Sequence, residues 1–138
     1  MAIDVCEERS QPAVSALPPP AKVLVVDDDR DFRVLARKLL ELARFEVADA
    51  ADVSQGLIEL RSGVFDAVIV DMIMPAQDGM DALREIKELF PGVRVVTVSG
   101  AEQSDLYLQI SGFLGADASL NKSRVESLST LLQVVLDR

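Results

Sequence analysis

Histidine and tryptophan are absent from this chain, cysteine occurs once, and aromatic residues make up only 4% of 138 residues. Without histidine the usual transition-metal sites lose their commonest ligand. The lone Cys6 has no internal partner for a disulfide and reads as an inert residue in a terminal segment. Strong basic runs are missing as well: 14 Lys and Arg stand against 23 Asp and Glu, a formal charge of -9. Such a balance argues against a nucleic-acid surface, which needs clustered cations, so any role on DNA would require a partner. No apolar stretch approaches the roughly 18 to 20 residues of a membrane span, and the acidic N-terminus has no signal-peptide pattern. The expectation is a cytosolic protein away from membranes.

What is present is an apolar share of 49%, enough for a real core in one domain of ordinary size. Residues 1 to about 20 hold Pro12, Pro18, Pro19 and Pro20 among small and charged residues, and read as a mobile arm ending in a short polyproline II stretch. From residue 21 to 138, short β-branched runs alternate with amphipathic stretches, the pattern of βα units around a parallel sheet. Strands are expected near 22 to 26, 45 to 49, 65 to 70, 93 to 98 and 117 to 120. In the first helix Phe32, Leu35, Ala36, Leu39, Leu40 and Ala43 form one apolar stripe, and in the last helix Val125, Leu128, Leu131, Leu132 and Val135 do the same. Asp52 with Gln55 and Ser123 with Glu126 fit capping boxes. Arg44 stands where a glycine would end the first helix comfortably, which suggests a different cap. The chain stops soon after the last helix, so a complete domain with nothing downstream is expected.

Polar residues follow four of the apolar runs. Val23 to Val26 leads to Asp27, Asp28 and Asp29; Ala67 to Val70 leads to Asp71; Val93 to Val98 leads to Ser99 and Gly100; the stretch ending at Leu120 leads to Asn121 and Lys122. In an open parallel sheet, ligands bind outside the carboxyl ends of the strands. Carboxylates, a hydroxyl and an ammonium gathered there suit phosphoryl chemistry, and hard oxygen ligands favour Mg²⁺ over Zn²⁺. Each residue alone has a plainer reading: Asp27 to Asp29 as helix caps, Asp71 as a turn residue before Pro75, Ser99 as a loop hydroxyl, Lys122 as a surface charge.

Taken jointly, Asp27-Asp28, then Asp71-x-x-Met74-Pro75 with Gly79 four residues on, then Ser99-Gly100 and Lys122, resemble the receiver domain of two-component response regulators over residues 21 to 138. The resemblance is to a stand-alone, chemotaxis-type receiver. It implies a flavodoxin-like α/β fold: a doubly wound five-stranded parallel sheet in the order 2-1-3-4-5 with five helices. Asp71 would accept a phosphoryl group from a histidine kinase or a histidine phosphotransfer protein. Asp28 would ligate Mg²⁺ directly, Asp27 would do so through water or help shape the site, and the backbone carbonyl of Ile73 would complete the protein ligands. Ser99 and Lys122 would each contact a phosphoryl oxygen. The product would be a phosphorylation-dependent binding event on an unnamed downstream protein, or a relayed phosphate, rather than an enzymatic turnover.

The chain departs from the family pattern in two places. Ser119 stands where a tyrosine or phenylalanine is expected to turn inward on phosphorylation, and Ser123 replaces a proline, so the Lys122–Ser123 bond is expected to be trans. Tyr107 and Phe113 are the nearby rings; Phe113 is expected in the core and Tyr107 half-buried. Two alternatives stay open. One is a pseudo-receiver that binds partners through a vestigial pocket with altered readout. The other is a phosphatase similar to the haloacid dehalogenases, with Asp27 and Asp29 as nucleophile and acid/base and with Ser99 and Lys122 assisting; it would leave Asp71 to Pro75 unexplained.

Overall fold

The computed structural model describes residues 19–74, 77–100 and 104–137, with the backbone alone at 74, 77, 78, 104 and 107. The expected arm at residues 1 to 20 therefore lies almost wholly outside the described residues.

Strand β1, Lys22–Val26, is buried from Val23 onward and is an interior strand of the sheet, second from one edge. Helix α1, Arg30–Leu42, follows, started by the Asp29 carboxylate, which accepts the N–H groups of Asp31 and Phe32. Then come β2, Glu46–Ala50, α2, Val53–Ser62, and β3, Ala67–Asp71. A two-residue antiparallel ribbon pairs Ile73–Met74 with Gln77–Asp78 and leads into α3, Gly79–Leu89. The chain continues through β4, Arg94–Ser99, α4, Ser104–Phe113, and β5, Ala118–Asn121. A 3₁₀ turn, Lys122–Ser127, precedes α5, Leu128–Leu136. All neighbouring strands of the five-stranded sheet run parallel, in the order β2-β1-β3-β4-β5. This is the expected flavodoxin-like sheet in the order 2-1-3-4-5 with five α-helices.

Alternation along the strands sorts the core into two layers. Val23, Val25, Ala67, Ile69, Val96 and Val98 face α1 and α5, where Phe32, Ala36, Leu40, Leu128, Leu132 and Val135 close the layer. Leu24, Val26, Val68, Val70 and Val95 face α2 and α3, meeting Val53, Leu57, Leu60, Ala82, Leu83 and Ile86. α4 packs beside them over β4 and β5. The doubly wound arrangement leaves the carboxyl ends of β1, β3, β4 and β5 together at one edge of the sheet, where the polar residues sit.

Local expectations hold or fail for identifiable reasons. Strands β2, β4 and β5 begin one residue later than expected and β3 two residues later, and all four end one residue later. At the start, backbone groups serve the turns: Phe45 N–H bonds Leu40 O at 3.0 Å and Val93 N–H bonds Phe90 O at 3.0 Å. At the end, the ladder runs on through polar residues such as Asp71, Ser99 and Asn121, because its hydrogen bonds are indifferent to side-chain polarity. Asp52 caps α2 by accepting Gln55 N–H at 2.8 Å, and Gln55 reaches back to Ala51 N–H. Ser123 does not cap the last helix. Asn121 takes that place, its Oδ1 accepting Ser123 N–H at 2.9 Å, and the 3₁₀ turn postpones α5 to Leu128. Arg44 departs from expectation too: at φ 72° it occupies the left-handed site itself. Arg44 N–H bonds Glu41 O and Phe45 N–H bonds Leu40 O, the paired bonds of a Schellman end, with Leu40 and Phe45 in the same apolar cluster. Phe113, expected in the core, is 92% exposed. Its position on α4 lies opposite the buried Leu108 and Ser111, so helix phase overrides its hydrophobicity. The side chain of Tyr107 lies outside the described residues. No cis peptide bond occurs among the described residues, so Lys122–Ser123 is trans.

Candidate functional site

Strand β1 delivers Asp27 to the sheet edge with no exposure at all, while Asp28, one residue on, points outward and is exposed. Asp27 Oδ1 accepts Asp29 N–H at 2.9 Å, which closes the turn into α1 and fixes the carboxylate. β3 brings in Asp71, only 3% exposed, whose Oδ1 accepts Ile73 N–H at 3.0 Å. Carboxylate oxygens of Asp27, Asp28 and Asp71 all lie within 4.8 Å of one another. Lys122 reaches over from the end of β5, its Nζ 2.7 Å from Asp27 Oδ2 and 3.2 Å from Asp71 Oδ2. Ser99 is fully buried at the end of β4, one residue past the partner of Asp71 in the ladder. Its Oγ has no hydrogen-bond partner among the described residues. Ile73 follows directly in the ribbon and is partly exposed.

Electrostatics in this cup are unbalanced. Among the described residues three carboxylates face one ammonium, which leaves two negative charges. Burial pushes the Asp27 carboxyl up to about 6, against the pull of the Lys122 ammonium and the Asp29 N–H, with the charge of Asp71 adding to the rise. For Lys122, burial pulls the ammonium down, but the carboxylates of Asp27 and Asp71 more than offset this and hold its pKa above the ordinary lysine value. Three hard oxygens at this spacing, with a deficit of two charges and a buried hydroxyl lacking a partner, fit a divalent cation of the Mg²⁺ type and an incoming anion.

Nothing in the sequence marks Phe32 or Arg33 for a role in the site, whereas Gly79 and Gly100 belong to the motif itself. Phe32, read as part of the α1 stripe, also lies beneath Lys122, with Nζ 4.7 Å from the ring centroid. Arg33 donates from Nη1 to the Asp27 carbonyl at 2.7 Å, tying the second turn of α1 to the strand end. Gly100 lets the Lys122 stem pass, since a Cβ there would approach Lys122 Cδ to 3.3 Å. Gly79 is required more strictly, because a Cβ would collide with the backbone of Met72. Stripe logic sorts helix residues into inward and outward, and it carries no signal for side chains that curl back over a loop.

The sequence model of the response regulator receiver domain matches residues 23–134. The chain belongs to the response regulator receiver family. Among curated proteins, this receiver is 34% identical over 101 residues to the transcriptional regulatory protein CpxR of Klebsiella pneumoniae, covering 73% of this chain and 42% of that protein. It is 33% identical over 102 residues to the chemotaxis protein CheY of Halobacterium salinarum, covering 73% of this chain and 83% of that one. A crystal structure of a receiver domain from Clostridium thermocellum superposes with a TM-score of 0.77 at 33% identity, covering 86% of this chain and 95% of the other. The receiver thus spans less than half the length of CpxR and most of the length of CheY. Family membership places it among signalling domains rather than enzymes. The phosphatase arrangement fails on geometry as well: Asp29 spends its carboxylate on the N-terminus of α1, and Asp71 joins Asp27 and Asp28 in the cup. No helix among the described residues is long and apolar enough to cross a membrane.

Proposed function

We propose that residues 21–138 form a phosphorylation switch in which Asp71 accepts a phosphoryl group from a phosphohistidine, carried by a histidine kinase or a histidine phosphotransfer protein. In the transfer a carboxylate oxygen of Asp71 forms a bond to phosphorus while the phosphorus–nitrogen bond to histidine breaks, and the released imidazole takes up a proton. The observation that carries this reading is the convergence of three carboxylates within 4.8 Å, with Lys122 bonded to the one at the end of β3.

Asp27 and Asp28, with Asp71 and the carbonyl of Ile73, would hold Mg²⁺, which supplies positive charge to the equatorial oxygens of the transferring group. Lys122 supports the same charge from the β5 side. It stays protonated throughout, because its carboxylate neighbours favour the ammonium. Ser99 donates its unengaged hydroxyl to a phosphoryl oxygen, which resolves the cost of a buried orphan. The burial of Asp71 and Ser99 excludes bulk water and strengthens these interactions. The outcome is a changed surface for a downstream protein or onward relay of the phosphate, in the cytoplasm and without contact with membrane or nucleic acid.

Beryllofluoride, which mimics an aspartyl phosphate, tests the reading. It should bind the wild type only with MgCl₂ present and should fail with Asp71→Asn; binding that survives the substitution would refute Asp71 as acceptor.

A further inference from the structure

We infer that the buried hydroxyl pair Thr97–Ser111 is a latch that holds α4 in its resting position and is released when Ser99 is engaged. This assignment of the readout rests on the reading of Asp71 as phosphoryl acceptor.

Val95, Thr97 and Ser99 alternate along β4 toward the α4 side, while Val96 and Val98 face α1 and α5. Thr97 and Ser111 are both fully buried, their hydroxyl oxygens 2.7 Å apart across the β4–α4 interface. Ser111 Oγ also lies 2.7 Å from Leu108 O, which can only accept. A hydroxyl has one proton, so Ser111 gives its proton to Leu108 and Thr97 must donate to Ser111. The strand therefore holds the helix through one directed bond.

That bond matters because the described side chains of α4 offer few apolar anchors, Ile110 being only half-buried. Among its described side chains Leu108 is the buried apolar one, while Leu106 at 58% and Phe113 at 92% exposure face outward. On the neighbouring strand, the residue in register with Thr97 is Ser119, which is small and exposed. No ring at that position could swing inward to report on the cup, so the route from site to surface must run through other atoms. Two residues along the same face of β4 from Thr97, Ser99 carries the buried Oγ that lacks a partner. A phosphoryl oxygen on Asp71 offers that partner, and the pull on the end of β4 draws Thr97 off Ser111. The latch is thus made in one state and unmade in the other, as coupling requires.

Thr97→Val isolates the latch, since it keeps the β-branched shape and leaves the Ser111 proton on Leu108. Without beryllofluoride, this variant should exchange the amides of α4 about fivefold faster than wild type, the worth of one net hydrogen bond, while the other helices are unchanged. By linkage it should bind beryllofluoride with MgCl₂ about fivefold more tightly. Ser111→Ala should loosen α4 at least as much, because it also leaves the buried Thr97 hydroxyl without its acceptor, and adding Thr97→Val to it should loosen α4 no further. Emission from Tyr107, the chain's one tyrosine in the absence of tryptophan and a residue of α4, gives a second readout. Wild-type values for both α4 exchange and beryllofluoride affinity in Thr97→Val would overturn the latch, as would uniform acceleration in every helix. If the wild type binds no beryllofluoride, or Asp71→Asn binds it equally, the acceptor reading falls and takes the latch with it. Silence of Thr97→Val beside a responsive wild type removes the latch alone.

Discussion

At the scale of single residues, the site is a contest between burial and charge, and Asp27 shows which prevails. Its carboxyl lies in the folded chain at about 6, above the ordinary 3.8, so folding binds its proton more tightly than the unfolded chain does. The favourable contribution is therefore complete below about pH 3.8 and is lost as the pH rises through 6. Urea unfolding without divalent cation should show Asp27→Asn gaining on the wild type between pH 4.5 and 7.5; a constant difference across that range would contradict the burial argument. Lys122→Met removes an ammonium that contacts two buried carboxylates and should cost about 1–3 kcal/mol at pH 7.5, measured the same way. The acids, Ser99 and Lys122 were legible in the sequence because each ends a strand, and strand ends of a parallel sheet meet at one edge. Arg33 and the second role of Phe32 were not, since both depend on how far a helix tilts back over a loop.

Elements are specified by hydrogen-bond economy as much as by hydrophobic pattern. The reading of strands from apolar runs placed all five, yet missed the last residue of four of them, since a ladder continues through Asp71, Ser99 and Asn121 without regard to polarity. Nor was the Schellman end of α1 legible, because arginine is an unusual occupant of its left-handed site. Arg44→Gly relieves that conformation and should raise stability by about 1 kcal/mol in urea unfolding. The opposite outcome is expected at the start of α3. Gly79→Ala sets a methyl group against the Met72 backbone and should destabilise by about 1–3 kcal/mol, with weakened Mg²⁺ binding because Met72 lies between Asp71 and Ile73. Unchanged stability and metal affinity would show that the ribbon after β3 yields more readily than its contacts suggest.

For the whole molecule, a sheet wound in the order 2-1-3-4-5 draws its functional groups from four separate strand ends, so the cup exists only in the folded state. Any cation that fills it must then stabilise the fold, by about 1.4 kcal/mol at tenfold excess over its dissociation constant. MgCl₂ should raise the unfolding midpoint of the wild type, and Asp28→Asn should abolish most of that gain while leaving the metal-free midpoint nearly unchanged, since Asp28 is exposed. The general architecture was legible because βα alternation leaves few topologies. The readout was not, because the Thr97–Ser111 contact joins residues 14 positions apart whose types signal nothing individually.

Phosphoryl transfer is the claim on which the rest depends, and the most direct measurement is peptide mapping by mass spectrometry after incubation with acetyl phosphate. A single adduct is expected on the peptide containing Asp71, formed with MgCl₂, absent with a chelator and absent in Asp71→Asn. An adduct that persists in Asp71→Asn, or one that forms equally well without a divalent cation, would contradict it.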